Sequence, residues 1–346
     1  MPSKETYLVI GGAGFLGSYI VQQLLDRNET VSIMDLRLPD STDPRLKATL
    51  KGDITDLDSL RTAFSGYSVV IHTASPVHEG LPTSVYWKVN VEGTKKVIQA
   101  CVDTGVKKLI YTSSASVSYY GQNVINEDET APYCEVHMNV YNQTKALGEQ
   151  AVLESNGKGG LLTIALRPAG IFGPAQGCYV FLEAAKKGNH KVRIGQNATL
   201  FDYTYVENIA YAHLLAADKL APDNGSAGEA FIITNDEPIF FWDFTRYFHN
   251  ALGMTNIQRF TLPKPVALAL GHITDAIKVL ISPVKKIDPT FSAFRVNIIT
   301  SNRYLDCTKA KRILGYEPLY TMEEALQKTM VYWKKVWEEE KAAGRA

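Results

Sequence analysis

A phenol and an ammonium four residues apart carry the first chemical signal in this chain: Tyr141 and Lys145, in Tyr141-Asn142-Gln143-Thr144-Lys145. On a helix, residues i and i+4 share a face with Cβ atoms ~5–6 Å apart, so both groups can act on one substrate. An unperturbed tyrosine has a pKa near ~10, and a base working near neutrality needs it lowered by ~3 units, about 4 kcal/mol. A neighbouring Lys⁺ pushes that way. Taken alone, Tyr-x-x-x-Lys is common on solvated helix faces. Its place shortly after Tyr111-Thr112-Ser113-Ser114, where Ser114 offers a hydroxyl to a reacting oxygen, favours chemistry over a surface role.

Such a pair needs something to act with, and the N-terminal stretch supplies a candidate. Four apolar residues, Tyr7-Leu8-Val9-Ile10, read as a strand buried on both faces; Leu16, Ile20 and Leu24 then recur at helical spacing. Between them lies Gly11-x-x-Gly14-x-x-Gly17, with Phe15 and Leu16 opening the helix. Gly11 lets the chain reverse, Gly14 lets backbone approach a pyrophosphate, and Gly17 lets helix and strand pack closely. The helix N-terminus presents unpaired N–H groups and a partial positive charge. A glycine turn alone is weak, but the next strand, residues 30–35, ends on Asp35, 24 residues after Gly11, where a carboxylate binds an adenosine ribose. Asp35 repels a 2′-phosphate and favours NAD; Arg37, two residues on, leaves NADP open. A positive nicotinamide ring would add to the push of Lys145 on Tyr141.

The elements that position these groups alternate. Residues 48–54 read as a third strand ending in Gly52-Asp53-Ile54, where Asp53 and Ile54 would bracket an adenine edge; Thr55 or Asp56 suits a helix N-cap. Residues 68–74 form a fourth strand ending on small Ala74, residues 85–105 a long helix, residues 108–114 a fifth strand, residues 139–155 a helix and residues 161–166 a sixth strand, followed by a rigid loop from Pro168 that would hold the nicotinamide face. Strand and helix in turn predict an α/β fold of Rossmann type, a doubly wound parallel sheet whose ligands lie beyond the carboxyl ends of the strands. Residues 1–175 are assigned to the NAD-binding domain with further elements from 201–235, and residues 176–346 mainly to a smaller substrate-binding lobe. There, residues 201–206, 229–234 and 257–262 read as strands and 206–217, 241–252 and 322–340 as helices; Met322, Leu326, Met330, Trp333 and Trp337 make a core stripe.

Bulk properties exclude some classes. Among 346 residues, Lys plus Arg and Asp plus Glu each total 36, so no broad attraction to nucleic acid exists. The cysteines Cys101, Cys134, Cys178 and Cys307 are scattered without a Cys-x-x-Cys pair, which suits a reducing compartment and argues against zinc. The chain enters a strand within a few residues of Met1, so a cytoplasmic location is expected. The most apolar long segment, residues 265–283, is interrupted by His272, Asp275 and Lys278, too polar to span a bilayer.

With the glycine turn, Tyr111-Thr112-Ser113-Ser114 and Tyr141-x-x-x-Lys145 in hand, the chain resembles the extended short-chain dehydrogenases. Within them it is similar to the 3β-hydroxysteroid dehydrogenase branch and its decarboxylating sterol-4α-carboxylate 3-dehydrogenases of fungi. The similarity covers nearly the whole chain and includes His72-Thr73-Ala74-Ser75-Pro76-Val77-His78, Val89-Asn90-Val91-Glu92-Gly93-Thr94, residues 166–174, residues 233–238 and Phe294-Arg295-Val296. The resemblance implies that Ser114 hydrogen-bonds the reacting oxygen, Tyr141 takes the hydroxyl proton, and Lys145 lowers its pKa and holds the nicotinamide ribose. It implies NAD, a 3β-hydroxy sterol or terpenoid oxidised to the ketone, and no metal. Where the substrate carries a carboxylate on C4, oxidation makes a β-keto acid that loses CO₂. Asn90 would help shape the site, with a helix-start role the alternative. The resemblance also leaves open a homodimer and peripheral contact with the endoplasmic reticulum membrane through residues 265–283, whose stripe Val266, Leu270, Ile273, Ile277 and Leu280 is expected to cover the substrate mouth, touch lipid or pack on the core, the first being favoured. His78, His137 and Arg295 lie near the substrate by analogy, with structural roles favoured for each.

Two segments depart from the sterol enzymes, Ala115-Ser116-Val117-Ser118-Tyr119-Tyr120-Gly121 and Ala175-Gln176-Gly177-Cys178. Both should border the substrate cavity, which points toward another 3-hydroxy terpenoid. Two further readings compete: a non-catalytic dinucleotide-sensing regulator, which would usually lack the tyrosine, and a sugar-nucleotide epimerase that keeps its NAD.

Overall fold

The computed structural model describes residues 5–39, 41–76, 81–281 and 291–345. Seven parallel strands form the main sheet. Five are β1 (Thr6–Ile10), β2 (Thr30–Asp35), β3 (Ala48–Lys51), β4 (Val69–His72) and β5 (Lys108–Thr112); the strands Leu162–Pro168 and Glu229–Ile233 complete it. The order is Glu229–Ile233, Leu162–Pro168, β5, β4, β1, β2, β3, with the chain reversing direction across the sheet between β1 and β4. That is the switch point at which doubly wound sheets bind ligands. The third strand is shorter than expected: Gly52, Asp53 and Ile54 lie in the following turn, and Asp56 is the N-cap of the helix Leu57–Phe64, accepting from the Ser59 N–H.

Period-2 alternation decides which residues fill each face. Tyr7, Val9, Val31, Ile33, Val69, Ile71 and Ile110 face one layer, where α1 (Phe15–Asp26) and the helix Val206–Lys219 pack. Leu8, Ile10, Met34, Val70, Leu109 and Tyr111 face the other, against Val97, Ala100 and Cys101 of the helix Thr94–Thr104. The stripe Met322, Leu326, Met330, Trp333 and Trp337 on the helix Met322–Ala342 joins the first layer, each residue 7 % exposed or less. All four cysteines are free thiols, three of them buried.

The expected single helix over residues 85–105 is interrupted. Residues Trp87–Gly93 wind as a π-helix between Thr83–Tyr86 and Thr94–Thr104. Pattern cannot reveal this, because a π-turn shifts the helix face without breaking the apolar composition. Short strands also went unseen, among them Gly170–Phe172, Val124–Glu127 and Arg303–Leu305. At three or four residues they show no alternation to read. The last two, with Leu200–Phe201 and Ile239–Phe240, form a four-stranded sheet flanking the main one in order Ile239–Phe240, Leu200–Phe201, Arg303–Leu305, Val124–Glu127.

The expected stripe Val266, Leu270, Ile273, Ile277 and Leu280 lies on the outer face of its helix. On the helix Lys264–Ile281 only Ala267 and Gly271 are buried. Gly271 lies so close to the next segment that a Cβ there would sit 2.5 Å from the Ala293 amide nitrogen. The small face packs inward, and Val266, Leu270, Ile273, Ile277 and Leu280 are 45–78 % exposed. Among the described residues, no helix is long and apolar enough to cross a membrane. Residues 282 and 283 of the expected segment, and His78, lie outside the described residues.

Candidate active site

The glycine turn joins β1 to α1 through backbone geometry that side chains would forbid. Gly11 has φ +79°, and a Cβ on Gly17 would stand 2.0 Å from the Gly11 carbonyl oxygen. Gly14 is open by comparison, with only that oxygen at 3.1 Å. No side chain caps α1 at Gly14 and no acid occupies its first turn, so the helix itself supplies no side-chain acceptor for its first N–H groups. A cavity of about 440 Å³ lies against them, lined by Ala13, Gly14, Phe15, Ser18 and Tyr19 and closed by Ala175 and Gln176. Leu16 is buried behind the turn.

At the end of β2, Asp35 accepts from the Ala13 N–H at 3.2 Å and the Arg37 N–H at 3.1 Å, which braces its carboxylate beside the turn. The Arg37 residue is exposed. In the next loop, Asp53 accepts from the Thr55 N–H at 2.8 Å, and Ile54 is buried. Ala74 follows β4 and packs its backbone against Gly11, within 2.9 Å of where a Cβ would stand. Pro168 ends its strand, buried opposite Ile233. The uncapped helix, the carboxylate at the β2 end and the small residues between them suit a dinucleotide.

The second half of the site is built on the helix Val140–Leu153, capped by Asn139 at the Asn142 N–H. Burial raises the pKa of the Tyr141 phenol, and the neighbouring Ser114 side chain opposes that only in part. Ser114 is itself the N-cap of the single 3₁₀ turn Ala115–Ser118 and shares a 2.8 Å hydrogen bond with the Ser116 hydroxyl.

Lys145 has partners that its spacing from Tyr141 does not reveal. Its ammonium donates to the Tyr111 hydroxyl at 2.9 Å and to the Thr112 carbonyl at 2.5 Å, and lies 4.2 Å from the Tyr111 ring centre. With 2 % of its surface exposed, its own pKa falls to about 7, burial driving it down and Glu149 opposing. Glu149 is one helical turn further on, fully buried, and paired with Arg167 at 2.6 Å and with the Tyr133 hydroxyl at 2.6 Å.

Asn90 sits inside the π-helix rather than at a helix start. Its amide donates to Thr144 at 3.0 Å and accepts from Ser75 at 2.8 Å, tying the interrupted helix to the one that carries Tyr141 and Lys145. Behind them His72 bonds Thr94 at 3.3 Å and is held neutral by burial, its pKa about 3. His137 is kept low by burial too.

Beyond Ser114 a second cavity of about 530 Å³ opens, within the ~300–1,000 Å³ usual for small-molecule sites. Its wall includes Ala115, Ser118 and Tyr119 from one departing segment and Gly177 from the other, together with Ala169, Phe172, Phe201, Tyr203 and Arg303. Sequence reasoning passed over Tyr111, Glu149, Arg167 and Arg303. The first three stood inside quoted or helical segments without a partner to give them meaning, and Arg303 lies on a strand too short to notice.

Comparison with known proteins accords with this geometry. Residues 8–264 match the family described as 3-beta hydroxysteroid dehydrogenase/isomerase. The chain is 41 % identical over 344 residues to a sterol-4-alpha-carboxylate 3-dehydrogenase, decarboxylating, of Candida albicans, covering 95 % of this chain and 97 % of that one. It is 40 % identical to the human enzyme of the same name, over 93 % of this chain and 86 % of that one. Among solved structures, a double mutant of dTDP-glucose 4,6-dehydratase from Streptomyces venezuelae with NAD bound superposes with a TM-score of 0.73 at 22 % identity, covering 96 % and 99 % of the two chains, a likeness of fold.

Proposed function

Because the chain belongs to the 3-beta hydroxysteroid dehydrogenase/isomerase family, we propose that it oxidises the 3β-hydroxyl of a 4-carboxysterol to the 3-ketone with NAD⁺, the β-keto acid then losing CO₂. The observation that carries this is the Tyr141 phenol beside the Ser114 side chain, with Lys145 one turn along the same helix. Ser114 holds the substrate hydroxyl and Tyr141, as phenolate, removes its proton. NAD⁺, when bound, would supply the acceptor for the hydride from C3 and a positive ring that favours the phenolate. Lys145 supplies positive charge beneath the phenol and a donor for the nicotinamide ribose. Gly11, Gly14, Phe15, Leu16 and Gly17 seat the pyrophosphate on the α1 N-terminus, Asp35 takes the adenosine ribose with Arg37 beside it, and Asp53 and Ile54 flank the adenine. Ala74 and Pro168 leave room for the nicotinamide half.

Balance is simple: the alcohol and NAD⁺ give ketone, NADH and a proton. Cleavage of the bond from C4 to the carboxyl carbon then releases CO₂ and leaves an enolate that takes a proton. Phenylalanine at Tyr141 abolishes turnover while NAD binding survives; turnover within about tenfold of the parent removes the phenol from the chemistry. An absorbance spectrum of the purified protein free of NAD separates a dehydrogenase from an NAD-retaining epimerase.

A second reading concerns the substrate. The departing segments 115–121 and 175–178 both contribute to the cavity wall, so a 3-hydroxy terpenoid is the alternative substrate class. NAD⁺ reduction with a 4α-carboxysterol beside a panel of 3-hydroxy terpenoids decides between them; clear preference for the carboxysterol ends the terpenoid reading. We also propose that the exposed stripe Val266, Leu270, Ile273, Ile277 and Leu280 rests on a lipid surface, as an amphipathic helix does in an interface. Detergent-free pelleting with liposomes tests it, and Leu270→Glu with Ile277→Glu should leave the protein in the supernatant.

A further inference from the structure

The cavity beyond Ser114 is lined largely by aromatic and aliphatic side chains, and one cation interrupts them. Arg303 stands on the strand Arg303–Leu305, in register with Phe201 on one side and Val124 on the other, so sheet pairing rather than a loop sets its place. Its guanidinium lies 4.1 Å from the Tyr119 ring centre and 6.0 Å from that of Phe201. Among the described residues no carboxylate pairs with it and no acceptor takes a hydrogen bond from its side chain. The contrast is Arg167, a buried guanidinium held by Glu149 through three contacts of 2.6–3.1 Å. Burial weakens the proton affinity of Arg303, as expected for a charge without a counter-ion.

Two acids share the cavity wall, and neither serves as that counter-ion. Glu127 accepts from the Ser118 hydroxyl at 3.2 Å. Asp202 accepts from the Leu305 N–H at 2.7 Å, and burial lifts its pKa to about 7, so part of it is neutral near that pH. The charged-state neighbours of Arg303 are the phenols of Tyr119 and Tyr203. An apolar chamber with one unanswered guanidinium selects an apolar molecule that carries one anion.

We propose that Arg303 is the receptor for the substrate's carboxylate. This rests on the reading of the site as a 3-hydroxysterol dehydrogenase. The 3₁₀ turn Ala115–Ser118 starts at its cap Ser114 and ends at Tyr119, on whose ring the guanidinium lies. Ala115, next to Ser114, and Arg303 both line the chamber, so a substrate whose hydroxyl is held at Ser114 extends along the wall that carries the guanidinium. A planar guanidinium grips a carboxylate through two parallel hydrogen bonds, which a lysine does not reproduce. The arrangement also separates substrate from product. Once CO₂ has left, the ketone has no anion, and the contact that held the substrate is gone.

The test compares Arg303→Met and Arg303→Lys with the parent enzyme in NAD⁺ reduction, using a 4α-carboxy-3β-hydroxysterol and the same sterol without the carboxyl group. A binding interaction equal in ground and transition states moves KM rather than kcat. KM for the acid should rise about 30-fold or more in Arg303→Met with kcat near the parent value, while KM for the uncharged alcohol stays within about twofold; Arg303→Lys falls between. Product inhibition by the decarboxylated ketone should be unchanged. Equal losses on both sterols make Arg303 a packing residue and overturn the proposal, as does no loss on either. If the parent enzyme turns over neither sterol, the reading of the site as a sterol dehydrogenase fails. Equilibrium binding of the carboxysterol to Tyr141→Phe, with and without Arg303→Lys, then judges Arg303 by itself: weakening by the lysine supports it, and equal affinity refutes it.

Discussion

Replacing Glu149 by glutamine tests whether one buried acid serves both the fold and the site. Glu149 has no exposed surface, and its carboxylate meets Arg167 at 2.6, 3.0 and 3.1 Å and the Tyr133 hydroxyl at 2.6 Å. Glutamine keeps the shape and one acceptor but removes the charge, leaving Arg167 buried without a counter-ion. Breaking a buried pair on one side costs about 3–5 kcal/mol, roughly a 10²- to 10⁴-fold drop in the folding equilibrium. Urea unfolding followed by the fluorescence of Trp333 and Trp337, both 3 % exposed, measures it. The second effect is on Lys145, whose pKa of about 7 Glu149 holds up against burial. Losing the acid lowers that pKa, so less ammonium remains at a given pH. A fall of about one unit cuts the charged fraction roughly tenfold at pH 8 but less than about twofold at pH 6. The variant-to-parent ratio of kcat/KM should therefore decline from pH 6 to pH 8. A loss of stability under about 1 kcal/mol together with a flat ratio would refute the reasoning.

Gly17→Ala places a methyl 2.0 Å from the Gly11 carbonyl oxygen and should cost about 1–3 kcal/mol in urea unfolding and also weaken NAD binding, whereas Gly14→Ala meets the same oxygen at 3.1 Å, a tight but smaller encroachment, and should weaken NAD binding with a smaller loss in unfolding. Asp35→Ala removes a charged acceptor and should raise the NAD dissociation constant about 10- to 150-fold, with a smaller loss for NADP; fluorescence titration of both cofactors checks it. Asp202 has its folded pKa raised from 3.8 to about 7, so the folded state holds its proton more tightly than the unfolded state does. Its penalty is absent below the unfolded value, grows as pH rises through the interval and is complete above the folded value, reaching about 4 kcal/mol. Asp202→Asn should thus gain stability on the parent as pH rises from 4 to 8, and a difference that does not change with pH would refute the assignment.

Much of the architecture was legible because its signals are local. The apolar run of β1, the glycine spacing and the acid at the end of β2 lie within about 30 residues of one another, and each answers to backbone sterics or burial that neighbours in sequence impose. The period-3.6 stripe of Met322 to Trp337 is local in the same sense. The orientation of residues 264–281 was not legible, since periodicity reveals an apolar face without saying which face docks. Close packing of Gly271 on Ala293 turned the small face inward.

The sequence by itself determined the parallel α/β scaffold, the dinucleotide turn and the shared helix face of Tyr141 and Lys145, all consequences of contiguous residues. Tertiary structure alone decided that Lys145 bonds Tyr111 and Thr112, that a π-turn carries Asn90 to Thr144, and that Arg303 enters a chamber beside Phe201. Partners so far apart in the chain are chosen by packing and strand register, which no stretch of neighbouring residues encodes.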